Sequence, residues 1–252
     1  MIDLSMQKAI VTGGSRGIGA ATAILLAEAG ADVAIVFRED YSSAHKVIRK
    51  ITEFRRNGIE VRGRVESYEN CMKIVNKIIK KFNRVDILVN CAGVWEFGEI
   101  DRMSVNQWNR TISINLTGTF NMCRVVIPFM KKQKYGRIIN ISSTAGQRGE
   151  QFHSHYAASK GGINAFTKSL SVELVKYGIL VNCIAPGWVQ TDMIKREISD
   201  PRKRSEILKG IPRGKIASPE DIAGPIVFLA SKLSNHIVGE IINVNGGSVL
   251  CG

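Results

Sequence analysis

The chain has 252 residues, 44% of them hydrophobic and 23% charged, with a formal net charge of +13. That length suits one α/β domain able to bury a sizeable core, and 24 glycines with only 6 prolines exclude a collagen-like, low-complexity or disordered chain. No apolar run reaches the roughly 18 residues of a membrane span, and the N-terminus leads straight into a strand-like segment, so no secretory leader is expected.

Strand-like and helix-like segments alternate along the chain. Strands are predicted at 8–12, 32–37, 59–65, 85–90, 136–142, 179–185 and 240–244, several of them unbroken apolar runs of the kind covered on both faces. Helical periodicity fills 18–29, 42–57, 69–82, 105–132, 156–177 and 219–231, with Gly30, Gly58 and Gly178 as stop signals and Pro219 as a start. Such alternation predicts a doubly wound parallel sheet with helices on both faces and right-handed crossovers. With no repeat and no linker, residues 1–252 read as one domain. The least regular stretch, 191–217, is a candidate substrate lid.

The basic excess is dispersed in short bursts such as Lys80-Lys81, Lys131-Lys132 and Arg202-Lys203-Arg204. No basic arm extends from the chain and no aromatics interleave with the bursts, which speaks against nucleic acid. Solvated surface charge and a phosphate-bearing or acidic partner are the remaining uses. Five scattered cysteines without CxxC spacing suggest neither disulfides nor zinc, and fit a reducing cytoplasm. His153 and His155 lack further ligands at metal spacing, so no metal is expected.

Two motifs carry chemistry. Residues 12–19 read TGGSRGIG: Gly13, Gly17 and Gly19 permit a tight turn that brings a helix N-terminus up to a pyrophosphate, whose charge the free N–H groups and helix dipole stabilise. Tyr156 and Lys160 are four apart on a predicted helix and share a face. A phenol of ordinary pKa near 10 is a poor proton carrier at neutral pH, and a fixed ammonium beside it favours the phenolate.

These motifs, with NCAG at 90–93, Asn115, Ser143 thirteen residues before Tyr156, Pro186-Gly187 and Thr191, resemble in order and register those of the short-chain dehydrogenase/reductase family. The resemblance spans nearly the whole chain and implies a Rossmann-like fold and a nicotinamide coenzyme. It makes Tyr156 the general acid or base, Lys160 its tuning cation and ribose ligand, Ser143 the donor to the substrate oxygen, and Asn115 the helix-interrupting residue of a proton relay. It places the coenzyme against Gly13, Ser15, Arg16, Gly17, Ile18, Gly19, Phe37, Arg38, Val65, Asn90, Ala92, Gly93, Tyr156, Lys160, Pro186, Gly187, Val189 and Thr191.

Cys91 replaces the second Asn of the family's usual NNAG. Arg64 stands where many relatives carry an acceptor for the adenine amino group, so either the backbone near Val65 substitutes or the adenine sits differently. Phe37 and Arg38 occupy the place where an NAD-preferring fold carries an acid, and Arg16 lies in the glycine loop, so NADP(H) is expected over NAD(H). Glu39 and Asp40 argue the other way unless they lie past the strand end. Within the family the chain most resembles 3-oxoacyl-acyl-carrier-protein reductases, whose motifs are shared by sugar and polyol dehydrogenases. Lys131, Lys132, Lys134 and Lys176 would meet an acidic carrier protein, and a homotetramer is expected. A reading from another class, a dinucleotide-binding regulatory protein without turnover, has no use for Ser143, Tyr156 and Lys160 together.

Overall fold

The branched apolar runs form seven strands, β1 (Lys8–Thr12), β2 (Asp32–Phe37), β3 (Gly58–Arg62), β4 (Ile87–Asn90), β5 (Gly136–Ile141), β6 (Ile179–Pro186) and β7 (Ile241–Val244). In the computed structural model, which describes residues 2–251, they make a single parallel sheet in the order β3-β2-β1-β4-β5-β6-β7. Met1 and Gly252, the ends of the expected 1–252 domain, lie outside the described residues. Between β1 and β4 the strand order reverses, and the crevice beyond the C-terminal ends of these strands is where open α/β sheets bind ligands.

Helices cover both faces, as the doubly wound reading requires. Helices α1 (Gly17–Glu28) and α2 (Tyr41–Glu53) lie on one face, and α3 (Tyr68–Phe82) lies on the other. The predicted 105–132 helix is α4 (Val105–Ile112) and α5 (Gly118–Gln133), joined by a π-turn at Ser113–Thr117. After β5 come a short α6 (Ala145–Arg148) and the long α7 (Ser154–Leu174); α8 (Lys195–Ser199), α9 (Pro201–Lys209) and α10 (Pro219–Ala230) complete the chain. One core half joins Leu26, Val47 and Ile226 to Val11 and Ile35; the other joins Ile74, Met122 and Leu174 to Ile10 and Leu88. Adjacent strand residues thus point to opposite halves, which is why these strands read as unbroken apolar runs.

The departures from the predicted elements have local causes. Strand 59–65 stops at Arg62 because its partner β2 ends at Phe37, the residue in register with it. Helix 42–57 stops at Glu53, where Arg55 takes a left-handed φ of 57°, and Gly58 opens β3 instead of closing the helix. The irregular 191–217 segment contains α8 and α9. Asp200 accepts from the Arg202 and Lys203 N–H groups and Pro201 opens α9, an N-cap signature present in the sequence.

Among the described residues, no group of three His, Cys, Asp or Glu is placed to hold a metal ion, and no helix is long and apolar enough to cross a membrane. The cysteines are free thiols. Burial pushes Cys71, Cys123 and Cys183 from 9.0 up to about 12. Unfolding lets these thiols ionise from about pH 9, so stability present below that pH is lost as pH rises toward 12. Lys160, held down at about 8 by burial, opposes this between 8 and 10.5, but it is one group against four thiols, since burial also raises Cys91 to about 11. The thermal unfolding midpoint is therefore expected to fall as pH is raised from 9 to 11; a midpoint rising over that range would contradict the burial of these thiols.

Candidate active site

The glycine loop lies at the reversal point of the sheet. Gly13 has a φ of 66°, in the left-handed region, and a methyl group on Gly19 would overlap the Gly13 carbonyl. The first turn of α1 therefore packs directly on the loop. Arg16, the N-cap residue, makes no side-chain cap bond and the first turn carries no acid, leaving donors free for an anion. Thr12 Oγ1 accepts from the N–H groups of Cys91 (3.0 Å) and Ala92 (3.1 Å), tying the β4 exit to this loop.

The catalytic candidates converge from three elements. Gly146 lets α6 approach α7 so closely that a Cβ there would lie 2.5 Å from the Lys160 carbonyl carbon. This contact places Ser143, at the β5 exit, opposite Tyr156 on α7. Ser143 Oγ accepts from the Ala145 N–H at 3.1 Å, so its own proton remains available to donate. Lys160 is buried, its Nζ donating to the Ile141 carbonyl at 2.7 Å and lying 5.6 Å from the Tyr156 ring centroid. A cavity of about 190 Å³ is lined by Ser143, Tyr156 and Lys160 together with Ile18, Gly93, Pro186, Gly187, Val189 and Thr191.

Protein groups alone do not tune the phenol as the sequence suggested. Burial pushes the Tyr156 hydroxyl up; Ser143 pulls it down, and Glu150 and Cys91 add upward pressure. Burial likewise draws the Lys160 ammonium down to about 8. With its Nζ turned to the Ile141 carbonyl, Lys160 does not offset the desolvation of the phenol.

Asn115 lies in the π-turn. Its Nδ2 donates to the Val94 carbonyl and to Ser159 Oγ, both at 3.0 Å, and its Oδ1 accepts from the Val94 N–H at 2.8 Å. The side chain is thus a brace between the β4 exit and α7. A methyl group on Gly93 would lie 3.3 Å from Asn115 Oδ1 and 3.7 Å from Lys160 Nζ, so these groups meet at one point.

Several expected coenzyme residues offer less than their side chains. Asn90 Nδ2 donates to Asn140 Oδ1 at 2.9 Å within the sheet, and the Phe37 ring is buried edge-on to Tyr41. The Val65 carbonyl, a candidate substitute acceptor near adenine, already accepts from Asn121 Nδ2 (3.0 Å) and Cys71 Sγ (3.2 Å), while Arg64 is exposed. Val189 bridges Ala217, but the bonds run from Gln190 N–H to the Ala217 carbonyl and from Ala217 N–H to the Trp188 carbonyl, leaving Val189's own amide groups outside the bridge. Arg16 and Arg38 are both exposed. Arg38 Nε pairs with Glu39 Oε1 at 3.0 Å, and Asp40 caps α2 through the Ser43 N–H, so both acids lie beyond β2.

A sequence profile described as short chain dehydrogenase matches residues 7–202. The chain belongs to the short chain dehydrogenase family. It is 38% identical over 251 residues to a 3-oxoacyl-[acyl-carrier-protein] reductase of Synechocystis sp., covering 99% of this chain and 100% of that protein. It is 42% identical to one from Chlamydia muridarum, covering 96% of each, and 39% identical to an acetoacetyl-CoA reductase of Shinella zoogloeoides, covering 95% and 97%. The crystal structure of gox2181 superposes with a TM-score of 0.94 at 32% identity, over 98% of this chain and 96% of that one.

As a member of this short chain dehydrogenase family the protein is an oxidoreductase whose coenzyme is NAD(P)H. The uncapped N-terminus of α1 over a loop with no room for a Cβ at Gly19 fits the coenzyme's pyrophosphate. Trp95, Arg148, Glu150 and Trp188 also line the cavity. Sequence reasoning missed these four, because no spacing links the segment after β4 to those after β5 and β6.

Proposed function

We propose that this enzyme reduces the ketone of a 3-oxoacyl thioester to the alcohol, using NADPH. The observation that supports this most is the meeting of Ser143, Tyr156 and Lys160 at one cavity beside the glycine loop. When bound, the reduced coenzyme supplies the hydride. Ser143, its oxygen engaged by the Ala145 N–H, directs its proton at the substrate oxygen and stabilises charge developing there. Tyr156 delivers the proton as general acid. Lys160 and Asn115 fix the floor of the site, and segment 191–217, with Ile194, Ile211 and Ile216 packed on Trp188, closes over it as a lid. Initial rates at 340 nm with acetoacetyl thioesters, aldoses and polyols, each with both coenzymes, test the reading. Turnover confined to sugars would overturn the thioester assignment. A hydroxylated ketone or polyol is the second reading, favoured by the Glu150 carboxylate in the cavity wall.

The 3-oxoacyl relatives support an acidic carrier protein as the substrate's bearer. Lys131 and Lys176, expected to meet it near the site, both lie over the Tyr177 ring at 4.3 and 5.3 Å, where β5 and β6 begin; that is the sheet edge opposite the site, so these lysines do not support docking beside it. A cytoplasmic homotetramer is part of the same proposal. Val105, Phe120 and Val172 on α4, α5 and α7 expose apolar surface that helix pairing between subunits would cover. Light scattering at micromolar concentration is expected to give four times the chain mass, and a monomer would remove the tetramer.

NADPH preference rests on Arg16 and Arg38 at the ends of β1 and β2. Two guanidiniums on one 2′-phosphate form charge-assisted bonds that a hydroxyl cannot match. Arg38 must leave Glu39 to do so, but that pair is exposed and weak. Arg38→Ala is expected to lower kcat/KM with NADPH by about 10- to 100-fold, with little change for NADH. An unchanged NADPH-to-NADH ratio would mean that the phosphate is held elsewhere.

A further inference from the structure

Beyond Ser143, Tyr156 and Lys160, the cavity wall holds a carboxylate that proton and hydride transfer do not require. Glu150 follows α6, three-quarters of its side chain buried. The Trp95 indole N–H donates to both of its oxygens, at 3.2 and 3.3 Å. The His153 ring stacks on Trp95 with centroids 4.3 Å apart and planes within 3°. Its Nδ1 lies 2.9 Å from the Gln151 carbonyl, which can only accept, so this nitrogen carries the proton; Glu150 Oε1 is 3.8 Å away. Trp188 stands edge-on to Trp95 at 6.0 Å and forms the adjoining wall.

An ionised carboxylate offers about four acceptor positions. One shared indole N–H, with an imidazole beyond hydrogen-bond distance, leaves most of that capacity unused on a group that lines the cavity. Burial, the foremost influence on Glu150, raises its carboxyl, while His153, Trp95 and Arg148 pull it down. An alkyl chain laid against this oxygen pair would strip its water and supply no donor, which is costly. A substrate with an O–H or N–H there restores the lost bond, and its carbon skeleton has two flat indoles to rest on.

We propose that Glu150 is a specificity-determining residue that accepts a hydrogen bond from an O–H or N–H carried by the carbonyl substrate. The inference rests on the reading of this cavity as a site of carbonyl reduction and adds the substrate class: donor-bearing ketones over bare alkyl ketones. Two sources share this chemistry, the hydroxyl of a polyhydroxy ketone and the amide N–H of a thioester arm.

The test compares NADPH-dependent kcat/KM for 1,3-dihydroxyacetone, the acetoacetyl thioester of N-acetylcysteamine, and ethyl acetoacetate, which has no donor. Parent, Glu150→Leu and Glu150→Gln enzymes are used, and quenching of tryptophan emission by each probe is recorded alongside turnover. In the parent, one donor-bearing probe is expected to exceed ethyl acetoacetate by about tenfold or more. Leucine abolishes that preference and glutamine, whose amide oxygen still accepts, keeps most of it. Preference for dihydroxyacetone identifies the hydroxyl source, and preference for the cysteamine thioester identifies the amide. A preference that survives in Glu150→Leu, or is absent from the parent, overturns the role of Glu150 while leaving carbonyl reduction standing. If no probe is reduced, the reductase reading fails and the quenching decides: donor-selective binding lost with leucine supports Glu150, and equal binding in parent and leucine variant overturns it.

Discussion

Tyr156→Phe is expected to bind coenzyme almost as the parent does and to lose about 10²- to 10⁴-fold in kcat. The substitution removes one oxygen and keeps the ring that stands 5.6 Å from Lys160 Nζ, so the packing at the base of the cavity persists. What disappears is the only phenol among the cavity-lining residues. Burial raises this hydroxyl and Ser143 pulls it down, so with the protein's groups alone it stays protonated at neutral pH, the form a general acid for ketone reduction needs. Single-turnover rates at saturating coenzyme, with coenzyme affinity measured by fluorescence, separate the two effects. Turnover within a few-fold of the parent would take Tyr156 out of proton transfer.

Most of the fold was legible because burial on both sheet faces imposes a pattern that few other arrangements produce. Ala9, Ile10, Val11 and Val33 to Phe37 are all buried, and an amphipathic helix cannot absorb such runs. The π-turn at Ser113–Thr117 joins two stretches that each read as helical, α4 and α5, with no Gly or Pro stop signal between 113 and 117, so the pattern ran them together. It was reachable only through the resemblance carried by Asn115. The end of α2 was misplaced because Gly58 looked like a stop, whereas Arg55, a residue with no special liking for positive φ, makes the left-handed turn.

The site divides along the same line. Ser143, Tyr156 and Lys160 are brought together by β5, α6 and α7, which follow one another in the chain, and their spacing encoded the meeting. Glu150 and Trp95 are 55 residues apart and meet because β4 and β5 are neighbours in the sheet. No sequence interval records such a contact. The effect of Lys160 on Tyr156, which the sequence reading joined to that of an oxidised nicotinamide, is not carried by protein groups alone: four-residue spacing sets the approach of two side chains, but desolvation acts on both and the ammonium has the Ile141 carbonyl as its partner. Spacing gives proximity, and burial decides the sign of the shift.

Ser143→Ala is expected to lower kcat by about 10²- to 10³-fold, with a much smaller change in KM. Ser143 Oγ accepts the Ala145 N–H at 3.1 Å, which fixes the oxygen and leaves the hydroxyl proton to be aimed into the cavity. A donor held this way matters most when negative charge builds on the substrate oxygen, so its loss falls on the transition state more than on binding. Alanine also deprives the Ala145 N–H of its acceptor at the start of α6, and that defect alone lowers stability by about 1 kcal/mol. Melting temperature reads the lost acceptor and kcat the lost donor, and Ser143→Thr is the control, because it restores both in nearly the same place. Alanine losing about 10²-fold or more in kcat for a melting-temperature drop of only a few degrees, with threonine recovering both, is the result expected of a donor to the substrate. A kcat for the alanine variant within a few-fold of the parent, with a lowered melting temperature, would confine Ser143 to holding the Ala145 N–H and leave the substrate oxygen to Tyr156 alone.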